Sequence, residues 1–138
     1  MLVTRAKVAE GLKLAELAKF DVSETYAFRH GLAIPGYAGV GSSRAGSFGF
    51  QFTPTNPVAS IAISAIKPTP EIGDGQITIT YSPAVGVPGI VIHLTPGSGV
   101  VVGGEPAGSM QVGNAIVWGC DVGGVTANFP YVPPDCRF

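Results

Sequence analysis

Charged residues are scarce in this sequence, at 12% of 138 residues, about half the share of an average soluble protein. The formal net charge is −1, and beyond residue 30 the only basic residues are Arg44, Lys67 and Arg137. No basic stripe is therefore present to neutralise a phosphate backbone. This argues against nucleic acid as the main partner. A surface of small and weakly polar residues instead favours association with copies of the same chain.

A long hydrophobic run is also missing. Residues 1–3 lead directly into polar Thr4 and Arg5, so neither a signal peptide nor a membrane span is visible. The chain is either cytosolic or has lost an export segment, and we expect that an export segment has been removed.

Only two cysteines are present, Cys120 and Cys136, and both lie in the last fifth of the chain. Two free thiols in an apolar setting are the alternative. We predict a disulfide, because the glycine- and proline-rich segment between them has little regular structure to hold it otherwise. Closing a loop of about 15 residues stabilises a fold by about 3 kcal/mol. A disulfide implies an oxidising compartment.

Residues that commonly carry catalysis are few. The only histidines, His30 and His93, have no cysteine or paired carboxylate near them in sequence, so we interpret both as structural. The glycine-rich runs 36–41 and 97–99 lack the Lys-Ser/Thr of a phosphate loop. No nucleophile-elbow pattern surrounds any of the serines Ser42, Ser43, Ser47 and Ser98. The sequence therefore predicts no enzyme, no cofactor and no metal site.

Two further features have a structural and a functional interpretation. Asp74-Gly75 with Glu71 is either half of a calcium loop or a plain turn, and two acids favour the turn. Trp118 is the only tryptophan. It could stack on a ligand, but we expect a half-buried packing residue beside Cys120.

A long amphipathic helix is predicted from about residue 4 to residue 30, where no proline occurs. Oppositely charged residues three apart, such as Lys7 and Glu10, lie on its polar side. Gly31 is a suitable left-handed stop. The predicted apolar stripe, at steps of three and four, contains Val8, Leu12, Ala15, Ala18 or Lys19, Val22 and Tyr26, widened by Leu14 and Leu17.

Residues 31–57 show no sustained periodicity. We expect a long connecting loop with one short strand near residues 48–52. Loops of this length are uncommon in compact domains and are often functional.

Four segments with strand character follow, at residues 60–66, 76–81, 90–95 and 115–120. The first two form a predicted hairpin, Pro96-Gly97 ends the third, and the glycine-rich residues 97–114 are expected to be a loop. On the fourth, Ile116, Trp118 and Cys120 share one face.

The expected fold class is α+β, with the helix packed on a four-stranded antiparallel sheet and a disulfide-bonded C-terminal loop. We expect a single domain. Its parts are a helix at about 4–30, a connecting loop at about 31–57, a sheet at about 58–120 and a disulfide loop at 120–136.

In this order, the features resemble the type IV pilins. The segment Arg5–Ala15, RAKVAEGLKLA, is similar to the RAxVxEGLxLA pattern that follows the family's transmembrane half-helix. Three further segments are similar to the family's strands and its YxPxxCR ending: Asp74–Tyr81, Ile92–Pro96, and Trp118–Cys120 with Tyr131–Arg137.

The resemblance implies a major pilin, that is, a structural subunit of a type IV pilus (fimbrium) used in adhesion, twitching motility or DNA uptake. Such subunits are made as inner-membrane prepilins, cleaved and N-methylated, and packed helix-inward into an extracellular filament. The implied partners are other pilin subunits, the inner-membrane assembly machinery and a host surface receptor. The half-helix with its assembly glutamate is absent here, so we expect an N-terminally truncated soluble domain.

Two related interpretations stay open. A minor pilin acting as a DNA-uptake receptor would bind DNA in a salt-sensitive way, although the low basic count argues against it. A pseudopilin of a type II secretion system is disfavoured by the terminal disulfide. In either case, a helix with apolar residues on more than one flank can bury one face against the sheet and offer another to neighbouring helices.

Overall fold

The chain begins with one long helix, α1, which spans Leu2–Arg29 in the computed structural model of residues 1–138. Seven buried residues recur every three or four positions and form the face toward the sheet: Thr4, Val8, Gly11, Ala15, Ala18, Val22 and Tyr26. Most are small, so α1 approaches the sheet closely. The predicted helix is confirmed, but Leu17, which was expected to widen the buried stripe, is 65% exposed.

A five-stranded antiparallel sheet packs against α1. Its strands are β1 (Val58–Ile63), β2 (Ile77–Tyr81), β3 (Val91–Val102), β4 (Glu105–Gly108) and β5 (Val117–Asp121). β1 pairs with β2, and β2 pairs with β3. The predicted α+β class, with a helix on an antiparallel sheet, is therefore confirmed.

The long strand β3 corrects one prediction. We expected Pro96-Gly97 to end the strand and residues 97–114 to be a loop. Instead, residues 93–97 of β3 pair with β5, and residues 98–102 pair with β4. Pro96 and Gly97 lie opposite Trp118 and Val117 in the regular β3–β5 register. The bulge between Ser98 and Val101 lies just after them, where β3 pairs with β4 instead.

Glycines allow this second half of β3 to fold over the sheet. Gly99 has a φ of +82°, which only glycine adopts readily. A Cβ added at Gly97 would lie 2.5 Å from Cβ of Pro106, and one at Gly119 would lie 3.0 Å from Cα of Glu105. The β3–β4 hairpin therefore lies directly against the sheet at Gly97 and Gly119, where only glycine leaves enough room.

The connecting segment, residues 31–57, lies along the open edge of β1. Ile34 pairs with Ile66, and Tyr37 with Ile63. The Tyr37 hydroxyl donates to the carbonyl of Gly41 at 2.6 Å and accepts from the amide of Phe52 at 2.7 Å. The strand expected near residues 48–52 is absent, since Phe52 forms a single bridge with Gly41. The segment protects an edge strand that would otherwise be free to pair with another chain.

The core lies between α1, the sheet and this segment. Its largest fully buried side chains are Phe48, Ile34, Ile61, Ile63, Ile66, Ile77, Ile79, Ile90 and Ile92. None of the helices is both long enough and apolar enough to cross a lipid bilayer.

Candidate functional site

The side of α1 that faces away from the sheet carries five exposed apolar residues. At about 100° per residue, four of them lie about 125–155° around the helix from the centre of the buried stripe, and Val3 lies about 105° from it. We call them the outward face: Leu2, Val3, Leu17, Phe20 and Phe28. Phe20 is 61% exposed and Phe28 is 82% exposed. Single exposed apolar residues are ordinary, but several aligned on one helix face mark a surface that a partner can cover.

Charged residues alternate with this apolar set. Glu10, Lys13 and Glu24 are exposed on the same side of α1. Partial burial raises the pKa of the Asp21 carboxyl above its ordinary value of 3.8, and the negative charge of Glu24 raises it further. The outward face therefore offers apolar area together with charges of both signs, which could fix the register of a partner helix.

The C-terminal part of the chain is closed by a disulfide between Cys120 and Cys136, with an S–S distance of 2.00 Å. Both cysteines are buried. Two short 3₁₀ helices, Thr126–Tyr131 and Pro134–Cys136, shape the enclosed segment. Its backbone carbonyl at Pro130 accepts a hydrogen bond from Nε of Arg5 at 2.7 Å. The disulfide-closed segment is thus held against the start of α1.

Trp118 lies half-buried between α1 and this segment. The Nζ atom of Lys19 is 5.7 Å from the centroid of its indole ring, which is a favourable cation–π distance. Lys19 also forms an ion pair with Glu16 at 3.3 Å. Trp118 therefore packs the sheet onto the helix.

The two histidines lie on different elements, His30 at the end of α1 and His93 on β3. Nδ1 of His30 is 3.1 Å from the carbonyl of Ala27 at the end of α1. His93 lies on the sheet face opposite its neighbour Leu94, and its Nδ1 is 3.1 Å from a carboxylate oxygen of Asp121. The His93–Asp121 pair could not be predicted from the sequence, because it depends on the register of β3 against β5.

Asp74 organises the turn before β2. Its carboxylate accepts the backbone N–H groups of Lys67 and Glu71 at 3.0 and 3.1 Å, and the Lys67 ammonium at 2.9 Å. Burial alone would raise the pKa of Asp74, but these donors outweigh it and lower the pKa below 3.8. Since the Glu71 carboxylate also binds the Lys67 ammonium, the geometry favours the turn over the calcium loop.

None of the serines Ser42, Ser43, Ser47 and Ser98 forms a hydrogen bond with His30 or His93. Ser47 donates to the carbonyl of Pro35 at 2.8 Å, and Ser98 to that of Ser109 at 2.7 Å. Ser43 accepts from the Gln51 side chain at 3.5 Å. These bonds hold the connecting segment and the end of the β3–β4 hairpin in place.

Sequence reasoning missed the apolar residues Phe20 and Phe28 of the outward face. Their separation of eight residues places them about 80° apart on one side of a helix, and about 120–160° around it from Val22 and Tyr26. That spacing was the available signal. The exposed stripe could not be distinguished from the buried one, because apolar residues occur on both sides of α1.

The structure combines three features: a long helix on an antiparallel sheet, an apolar helix face that the sheet leaves uncovered, and a disulfide-closed C-terminal segment. The family model described as Pilin (bacterial filament) matches residues 4–137. The chain therefore belongs to the pilin family, as the resemblance predicted. Pilins are structural subunits of a surface filament. No curated protein and no solved structure matches the chain.

Proposed function

We propose that this pilin is a structural subunit of a type IV pilus and that the outward face of α1 packs against α1 of neighbouring subunits. The observation that carries the proposal is the alignment of Leu17, Phe20 and Phe28 on the side of α1 that the sheet leaves uncovered. Two of these side chains are aromatic, the residue type that contributes most at protein interfaces.

The energetics support this packing. Covering a large apolar side chain contributes about 1.5–3 kcal/mol, and a filament repeats the contact at every subunit. The neighbouring acids and Lys13 would then select one helix register over others. Because only 12% of the residues in the chain are charged, there is little like-charge repulsion to oppose close packing.

The finer parts of the proposal concern how the filament is used. A major pilin of this kind would serve adhesion, twitching motility or DNA uptake, after prepilin cleavage and N-methylation by the inner-membrane assembly machinery. The disulfide-closed segment, residues 120–136, is the surface we propose for contact with a neighbouring subunit or a host surface receptor. It lies beside the flank of α1 and not beside the outward face, since Arg5 donates to its Pro130 carbonyl and Lys19 lines a pocket with Pro133 and Asp135.

A serine at position 20 tests the assembly surface. The chain, joined to the hydrophobic half-helix of a type IV pilin, is expressed in a pilus-producing bacterium. Phe20→Ser is expected to lower the amount of sheared filament at least about tenfold, because each subunit contact loses about 1.4 kcal/mol or more. Filament yield is measured by immunoblot and electron microscopy.

Val112→Ser is the matched control. Val112 is 62% exposed, close to the 61% of Phe20. It lies in the loop before β5, beside the flank of α1 that carries Tyr26 and not on the outward face. Both variants should keep the unfolding free energy within about 0.5 kcal/mol of the parent. Normal filament yield for Phe20→Ser, or an equal loss for Val112→Ser, would contradict the assembly surface.

The same experiment separates the related pilin classes. A chain that forms the bulk of the fibre is a major pilin, while one present only in trace amounts is a minor pilin. In that case, DNA binding by the purified chain is measured at two salt concentrations, since a receptor for DNA loses affinity steeply as salt rises.

A further inference from the structure

A cleft of about 260 Å³ lies between the start of α1 and the disulfide-closed segment. Arg5 and Arg137 both line it, from opposite ends of the sequence. The other lining residues are neutral: Ala9, Tyr131, Val132, Pro133 and Pro134.

Both guanidinium groups are oriented by the same short stretch of backbone. Nε of Arg5 donates to the carbonyl of Pro130 at 2.7 Å, and Nε of Arg137 donates to the carbonyl of Val132 at 3.2 Å. Each guanidinium has five N–H donors in a fixed planar fork. The Nε bonds use one donor each and limit the rotation of the fork, so the terminal amino groups are left for a ligand.

Neither arginine is neutralised within the chain. The ion pairs of the structure involve Lys19, Lys67 and His93, and neither Arg5 nor Arg137 takes part in one. No Asp or Glu lines the cleft. Two positive charges therefore face one small volume without an anion.

Tyr131 adds a neutral donor to the same cleft. The hydroxyls of the three other tyrosines each donate to a backbone carbonyl: Tyr26, Tyr37 and Tyr81. The hydroxyl of Tyr131 makes no hydrogen bond within the chain, although its ring is half-buried against the core. The prolines of the wall have no N–H, so the strong donors at the cleft are the two guanidiniums and this hydroxyl.

We propose that the Arg5–Arg137 cleft is a binding site for a phosphate group, either free phosphate or a phosphate monoester, or the headgroup of an anionic phospholipid. Guanidinium forks match phosphate oxygens in bidentate geometry, and two of them compensate up to two negative charges. The site does not depend on the outward face of α1, so it stands whether or not the filament proposal holds.

Inorganic phosphate is the first probe. Phosphate is titrated into the purified chain at constant ionic strength, and the side-chain Nε–H signals of arginine are followed by NMR. The Arg5 and Arg137 signals should shift together and saturate. Arg5→Gln and Arg137→Gln should each weaken binding at least about tenfold, since each removes charge-assisted hydrogen bonds.

Arg44→Gln is the matched control. Arg44 also lines a cleft, but it is the only charged residue there, so its loss should leave phosphate affinity unchanged. Tyr131→Phe keeps both backbone-bonded arginines in place and should weaken binding several-fold, which guards against a loss that merely reflects misfolding of the arginine variants. Circular dichroism checks the fold of all four.

Vesicles distinguish the two sources of the phosphate group. The ligand is a lipid headgroup if the chain sediments with phosphatidylglycerol vesicles but not with phosphatidylcholine vesicles, and if free phosphate abolishes this sedimentation. Saturable binding of free phosphate without vesicle sedimentation would assign a soluble phosphate. The proposal is wrong if neither probe binds, or if Arg44→Gln weakens binding as much as Arg5→Gln and Arg137→Gln do.

Discussion

Tyr81 is the residue that most directly joins the sheet to the helix. It is buried at the end of β2, and its hydroxyl donates to the carbonyl of Val8 in α1 at 2.6 Å. Gly11 lies against the same ring, where an added Cβ would come within 2.6 Å of a ring carbon. Burial raises the pKa of the Tyr81 hydroxyl above its ordinary value of 10.0, because the phenolate would lose its hydration.

Replacing Tyr81 with phenylalanine should lower the unfolding free energy by about 1 kcal/mol at neutral pH, since the Val8 carbonyl loses its partner. The pH dependence should also change. Above pH 10, the unfolded chain releases the phenol proton while the folded chain keeps it, so stability falls as pH rises. The variant should lack this part of the fall.

Urea denaturation from pH 7 to pH 11 measures both effects. Tyr131→Phe is the control, because its hydroxyl makes no hydrogen bond within the chain. An equal loss of stability in the two variants, or an unchanged alkaline slope in Tyr81→Phe, would show that the Tyr81 hydroxyl does not link β2 to α1.

The β3–β4 hairpin depends on the close approach of its backbone to β5 at Gly119. Gly119→Ala would place a Cβ 3.0 Å from Cα of Glu105 and against the carbonyl of Gly104. We expect a loss of about 1–3 kcal/mol from overpacking, with faster amide hydrogen exchange in β4. Gly49→Ala is the control, since its nearest neighbour would be a side-chain atom at 3.6 Å. Unchanged exchange in β4 would mean that the hairpin does not rest on Gly119.

Predictability from sequence also divides by element. Periodicity located α1, and periodicity with the Asp74-Gly75 turn located the hairpin of β1 and β2, because each element has one buried face. It failed for residues 97–114, where glycines and a bulge interrupt the alternation that identifies a strand. It failed again for the connecting segment, whose pairing with β1 depends on neighbours far along the chain.

The candidate sites followed the same division. The disulfide and the YxPxxCR motif at residues 131–137 could be predicted, since their residues lie close in sequence. The cleft was not, because Arg5 and Arg137 are brought together only when α1 packs beside the disulfide-closed segment. On the outward face, Leu17 was predicted to widen the buried stripe, and Phe20 and Phe28 were assigned to neither side of α1.

For the whole molecule, the disulfide is the largest single covalent constraint. Replacing both Cys120 and Cys136 with serine should lower the unfolding free energy by about 3 kcal/mol, as expected for a closed loop of about 15 residues. Guanidinium denaturation with and without a reductant measures the loss. Reductant should destabilise the parent chain and leave the double variant unchanged. If the parent is equally stable in both conditions, the bond contributes nothing to the fold.

The same bond has a mechanical consequence. The cysteines are 16 positions apart in sequence, and an extended chain reaches about 3.5 Å per residue. A force pulling along the chain passes from Cys120 to Cys136 through sulfur, so roughly 50 Å of backbone cannot be drawn out. In a fibre that bears tension, each partly opened subunit would lengthen less and refold from a shorter tether. The disulfide-closed segment, which forms one wall of the Arg5–Arg137 cleft, would remain closed by the bond while the rest of the subunit unfolds.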